Sequence, residues 1–309
     1  MRILLLLVAT ILFNIQVDAQ RANDSERLCR SDRIYPDTLN KKRVATVAGV
    51  AGGTYIAGLT FLGAIWYKDH ARVPFHYYDD SKGYLQMDKA GHAYAAYYQS
   101  LVMTRSLRWA GVSKKASLII GGSFGLIMQT PIEIFDGLYE GWGFSWSDMI
   151  ANTSGALLFT VQEALWEDQI VRMKFSYSPS GYPEYHPVLG QTPLESFFND
   201  YNGHTYWLSA NIKKTTKLKV PAWLNLSFGY SANGMIYEFD NPKYYRGQPF
   251  PHLERYRQYL FSLDLDLSKV KTKSKFLRSL LGAANMLKVP FPAIEFNKVD
   301  GVKWHWLYF

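Results

Sequence analysis

Asp88 and His92 stand four residues apart in the stretch DKAGH, inside an otherwise apolar run. The same spacing returns twice, in Gln129 and Glu133 of GLIMQTPIEIFDG and in Asp148 and Asn152 of SWSDMIANTSGALLF. Residues four apart share one helix face. Three such helices side by side would gather carboxylates, an imidazole and two amides within an apolar surround. Buried charge is costly unless it is paired or functional. Three kinds of chemistry fit the set. In the first it is structural: Asp88 caps its helix, Ser145 and Asp148 form a capping box, and Gln129 and Asn152 bridge helices. In the second it holds a hard divalent ion (Mg, Mn or Ca) through Asp88, His92 and Glu133, with His76 and Asp80 added from the preceding loop. Zinc suits it less, because no cysteine or histidine pair stands at ligand spacing. In the third it is an acid–base site: Asp88 or Asp148 orients His92, burial moves Glu133 towards neutrality, and a lipid or glycolipid is hydrolysed. Asp136 joins Gln129 and Asn152 as a binding candidate. GGSFG at 121–125 lacks the pattern of a nucleophile elbow, and no other serine or cysteine motif appears.

Four helices must carry these residues. Residues 44–66 hold no charge and are long enough to span a bilayer. Ala45, Gly49, Gly53 and Ala57 recur four apart there, a pattern that permits close helix approach. Further helices are predicted over 88–109, 115–135 (with Pro131 a candidate kink) and 146–167. After 170 the texture changes to alternating segments punctuated by Pro, Gly and Asn. Strands are predicted at His204–Ile212, Trp223–Tyr230, Arg257–Leu267, Val289–Phe296 and Val302–Phe309, with a short amphipathic helix over 273–287. Five strands are too few for an independent membrane barrel. Asp79, Asp80, Asp264 and Asp266 read as solvated loop or strand residues, and the histidines other than His76 and His92 lack partners at useful spacing. The fold class is therefore α+β: about four apolar helices (44–170), then a small antiparallel β region (171–309).

Composition narrows the partners. The 309 residues carry a net charge of +8 and a pI near 9.3, with 22 Tyr and 9 Trp. The mean hydropathy of −0.15 hides a division between an apolar first half and a polar, aromatic second half. No basic helix or nucleic-acid motif is present, so anionic membrane lipid is the expected partner, with envelope proteins as a further class and nucleic acid excluded. Met1–Ala19 has the make-up of a secretory signal peptide, with charged Arg2, apolar Ile3–Ile15 and a small-residue site before Gln20. A polar, basic arm follows over 20–43. Cys29 is the sole cysteine, so no intrachain disulfide forms.

Four spanning helices would put Arg21, Arg27, Arg30, Arg33, Lys41, Lys42, Arg43, Arg105, Arg108, Lys114, Lys115, Arg172 and Lys174 on one side. The positive-inside rule makes that side cytoplasmic, whereas a cleaved leader makes it periplasmic. The conflict disappears if these Gly-, Ala- and Ser-rich helices pass the inner membrane. The expected location is the periplasm or outer membrane, with the inner membrane as the alternative.

The stretches HYYDDSKGYLQMDKAGH, TPIEIFDG, GFSWSDMIANTSGA, NDYNGHTYWLS (199–209) and RQYLFSLDLDL (257–267) together resemble an uncharacterised bacterial family, the YfiM-like predicted periplasmic lipoproteins in their long Bacteroidetes form. The helical half is also similar, more loosely, to the VanZ-like membrane family linked to glycopeptide resistance. These resemblances imply an envelope location and a helical core bearing Asp88, His92, Glu133, Asp148 and Asn152, with no established activity. Cys29 departs from the lipoprotein pattern, since it lies well past the apolar run.

Overall fold

The computed structural model describes residues 35–216 and 218–309. The leader, Cys29 and most of the basic arm lie outside the described residues. The chain divides into two compact units.

The first unit comprises residues through Asp80, His92–Gln169 and Lys271–Ala283. Its helix α1 (Lys41–Phe61) begins behind Asn40, whose Oδ1 accepts from Arg43 N at 3.1 Å, so the arm's last basic residues form a helical turn. A π-helical turn, Leu62–Trp66, continues it. Helices α2 (Met87–Trp109), α3 (Lys114–Asp136) and α4 (Trp146–Trp166) follow, as predicted. Ser113 caps α3 and Ser145 caps α4, the latter accepting from Asp148 N at 3.0 Å.

Close packing of α2 against α3 and α4 depends on glycine. A Cβ on Gly125 would lie 2.2 Å from Ala96 O, and one on Gly155 would lie 2.0 Å from Ala93 O. The small residues of α1 play no such part, since Gly49 and Gly53 have nothing within 4 Å. Helix α1 packs instead through Val44, Val47 and Ala51 on a cluster holding Met103, Leu107 and Trp109. The outer faces of α3 and α4 are apolar: Ile119, Ile127, Ile150, Leu157 and Leu165 are 52–66% exposed. Two helical stretches, Lys41–Ala64 and Lys114–Asp136, are long and apolar enough to cross a membrane.

The second unit comprises Ser81–Gly91, Ile170–Val270 and Ala284–Phe309. Six strands form one antiparallel sheet in the order β1-β2-β3-β6-β7-β8. They are β1 (Val171–Tyr177), β2 (His204–Asn211), β3 (Leu224–Asn233), β6 (Tyr256–Leu265), β7 (Phe291–Asn297) and β8 (Gly301–Tyr308). A small separate ladder joins β4 (Tyr244–Tyr245) to β5 (Gln248–Pro249). Short helices α5 (Pro193–Asn199) and α6 (Ile212–Thr216) connect its strands, while α7 (Lys275–Ala284) falls in the first unit but for its last residue.

Strand β1 was not among the five predicted. Its Arg172 and Lys174 read as loop charges in sequence, yet both are buried. Arg172 pairs with Asp266 at 3.3 Å and Lys174 with Asp264 at 2.8 Å. Asp264 and Asp266 are correspondingly 0% and 1% exposed, which corrects the expectation that they are solvated. The two basic residues therefore do not belong in a count of loop charges. The outer edge of β1 is bonded too: Phe175 N donates to Met286 O and Lys288 N to Phe175 O.

Candidate functional site

His92 lies on α2, and its two ring nitrogens face residues of α3 and α4. Nδ1 is 3.2 Å from Asn152 Oδ1 and 3.7 Å from Glu133 Oε1. Nε2 is 3.8 Å from Asp148 Oδ1. The Glu133 and Asp148 side chains are 1% and 5% exposed, and the imidazole 15%. The helix-periodic spacing read from the sequence therefore brings four side chains from three helices into one buried polar group. Gln129, one turn before Glu133 on α3, donates to Gln99 Oε1 of α2 at 3.2 Å and adds a second polar tie between those helices.

Asp88 occupies the first turn of α2 rather than its cap. The chain enters that helix through three consecutive residues in the left-handed region, Tyr84 (φ 43°), Leu85 (φ 50°) and Gln86 (φ 66°), so the helix begins at Met87 and Asp88 lies within it. Within the second unit Asp88 accepts from Tyr201 Oη at 2.9 Å, and its other oxygen is 3.1 Å from Lys89 Nζ. Burial, then the Asp88 charge, push the Tyr201 phenol well above its usual range.

The remaining candidates are occupied elsewhere. His76 has Nε2 2.6 Å from Trp142 O and Nδ1 3.3 Å from Pro74 O. A ring nitrogen that donates to a carbonyl has no lone pair for a metal. Asp80 accepts from Ser145 Oγ and Ser147 Oγ, each at 2.6 Å, and so braces the start of α4. Asp136 accepts from the Tyr67 phenol, which burial and this carboxylate hold above its usual range. Tyr67 also stacks on Phe135 and Tyr139, so Asp136 belongs to an aromatic knot at the end of α3.

Sequence reasoning missed a second polar centre, inside the sheet. Asp264 accepts from Ser209 Oγ at 2.6 Å, pairs with Lys174 and lies 3.9 Å from Lys288 Nζ. Lys288 Nζ also stands 5.1 Å from the Trp207 ring centroid. Glu295 accepts from Gln258 at 2.6 Å and pairs with His305 at 2.7 Å. The available signal was the alternation of SLDLDL, which assigns Asp264 and Asp266 to one face without saying which.

Residues 76–163 match the model of a family described as "Predicted periplasmic lipoprotein (DUF2279)". All nine candidate residues, His76 to Asn152, fall inside that stretch. The segments quoted from 199–209 and 257–267 lie beyond it. Comparison with curated proteins and with solved structures finds no match.

Proposed function

We propose that this chain is an exported cell-envelope protein whose helical unit associates with a membrane and is organised around the polar centre at His92. The carrying observation is that one imidazole reaches Glu133 of α3 and both Asp148 and Asn152 of α4. A side chain with partners on two neighbouring helices fixes their rotation and depth more sharply than apolar packing does. The similarity of 76–163 to predicted periplasmic lipoproteins supports the envelope location. The exposed apolar faces of α3 and α4, together with the two helical stretches of spanning length, support membrane association. The leader read from the sequence and the outer-membrane placement belong to the same proposal.

A second reading follows from the donor set. An imidazole between two buried carboxylates, with Asp88 one helical turn earlier on α2, offers hard oxygens and one nitrogen to a divalent ion. Bound Mg, Mn or Ca would there polarise an ester or phosphate of a lipid or glycolipid for hydrolysis.

Thermal unfolding of the detergent-solubilised protein separates the two. If the centre is organisational, His92→Ala and Asp148→Asn each cost about 1–3 kcal/mol, and added Mg, Mn or Ca leaves the wild-type melting temperature unchanged. If it is a cation site, one of these ions raises the wild-type melting temperature and Asp148→Asn abolishes that rise. Unchanged stability in both variants, with no response to ions, would refute both readings.

A further inference from the structure

From Leu208 of β2 across to β8 the six-stranded sheet is turned inside out relative to a water-soluble one, whereas Met173, Phe175 and Tyr206 at the β1 end of the same face are buried. Its cross-strand register lines up Leu208, Phe228, Phe261, Ile294 and Trp304, one from each of β2, β3, β6, β7 and β8. All five are 37–51% exposed. A neighbouring row sets Tyr230, Tyr259, Phe296 and Val302 beside one another. The opposite face carries Ser209, Ser227 and Ser262 in a single row, with Lys174, Asp264 and Glu295 near it, and every one of these is 0–5% exposed. Trp207, Leu260 and Ala293, with Tyr308 packed on them, form a small apolar nucleus on that inner side.

A sheet that packs its core in water does the reverse. Apolar-out and polar-in alternation, with internal charges paired, is the pattern of strands that face hydrocarbon. Such strands must also satisfy their edges. Here Phe175, midway along the β1 edge, is bonded to Met286 and Lys288, and the Tyr308 side chain of β8 meets that of Thr205 of β2 at 3.1 Å on the inner side, so it is the face rather than the β8 edge that is fitted to hydrocarbon.

The face has a cationic end. An open groove lies along β6, β7 and β8, lined by Tyr259, Phe296 and Val302 together with Arg255, Arg257 and Lys298. Arg255 donates to Tyr237 O and Glu238 O and also feels the Asp240 and Glu238 carboxylates, while Arg257 donates to the Tyr230 phenol and Gln86 Oε1. Lys298 makes an exposed pair with Glu254 at 2.7 Å. Rings and cations lining one groove match an anionic phospholipid, with acyl chains against the rings and phosphate at the cations.

We propose that membrane lipid covers the outer face of this sheet from β3 to β8, and that Arg255, Arg257 and Lys298 select phospholipids with anionic headgroups. The proposal rests on the membrane reading above and extends it to the second unit. Spin labels test it in the full chain carrying Cys29→Ser, reconstituted into vesicles of equal parts phosphatidylcholine and phosphatidylglycerol. Labels at Phe228→Cys, Phe261→Cys and Ile294→Cys should collide more with oxygen than with an aqueous nickel chelate. A label at Lys243→Cys, in an exposed loop, should do the opposite. Labels at Ile119→Cys and Leu157→Cys report on the helices. If these are lipid-exposed while the three sheet positions meet the chelate, the sheet proposal fails and the membrane reading stands. If all five meet the chelate, both fail. For the cations, spin-labelled phosphatidylglycerol should outcompete phosphatidylcholine several-fold around the protein, and Arg257→Gln with Lys298→Gln should remove that preference. Lys298→Gln alone, an exposed change, should lower it with the circular dichroism unchanged. An undiminished preference in the double variant overturns the headgroup assignment.

Discussion

At Asp264 two lysines share one buried carboxylate. Lys174 makes the close pair and also donates to Leu265 O, while Lys288 bonds Leu263 O and Val289 O. Removing one partner of a buried pair leaves the other charge uncompensated. Lys174→Met should therefore destabilise the protein by about 3–5 kcal/mol. Lys174→Met with Asp264→Leu should recover much of that loss, and a double-mutant cycle from denaturant unfolding reads the coupling directly. Burial pulls Lys288 down to about 8, against the opposing pull of Asp264. The sign of the linkage follows from this. Between pH 8 and the ordinary lysine value the unfolded chain binds more protons than the folded one, so stability rises with pH across that window. Above about pH 10 the raised tyrosines, Tyr206 and Tyr308 among them, reverse the trend, because the folded state then holds the extra protons. Melting temperature should climb from pH 8 to about 10 in the native protein, and Lys288→Met should flatten that climb.

Elements differ in how openly the sequence announces them. The i,i+4 polar pairs together with Ser145 mark α2, α3 and α4, because helical periodicity and caps are local signals. The meeting of His92 with Glu133, Asp148 and Asn152 was also readable, since each lies on the polar stripe of its own helix. The fates of His76 and Asp136 were not. Their partners, Trp142 O and the Tyr67 phenol, are far along the chain and become neighbours only through tertiary packing. Strand β1 was hidden for a related reason: its two cations look solvated until Asp264 and Asp266 are placed opposite them. Helix α1 shows the limit of motif reading, because a repeat of small residues does not say which side is the contact. The glycines separate these cases by experiment. Gly155→Ala drives a methyl into Ala93 O and should cost about 1–3 kcal/mol. Gly49→Ala meets open space in a helix and should gain up to about 1 kcal/mol. Equal melting temperatures for the two variants would contradict the packing described for α2 and α4.

At the scale of the whole molecule, both units present apolar side chains outward and keep ionisable groups inside. Such a chain should partition with detergent and precipitate on its removal. Replacing Phe228, Phe261 and Trp304 together by serine should raise its solubility in water while leaving the β signal in circular dichroism intact, because none of the three fills the inner nucleus. Loss of that signal would mean that the outer rings hold the strands together. Sheet polarity also bears on how the chain finds its register. Sliding any strand by a single residue would swap its two faces, and in an aqueous compartment the slipped arrangement, with its rings tucked away, is the tempting error. The bond between Lys174 of β1 and Asp264 of β6 spans the two strands between them and is lost when either end slips, so this ionic latch holds the alignment of four strands before any hydrocarbon is there to reward it.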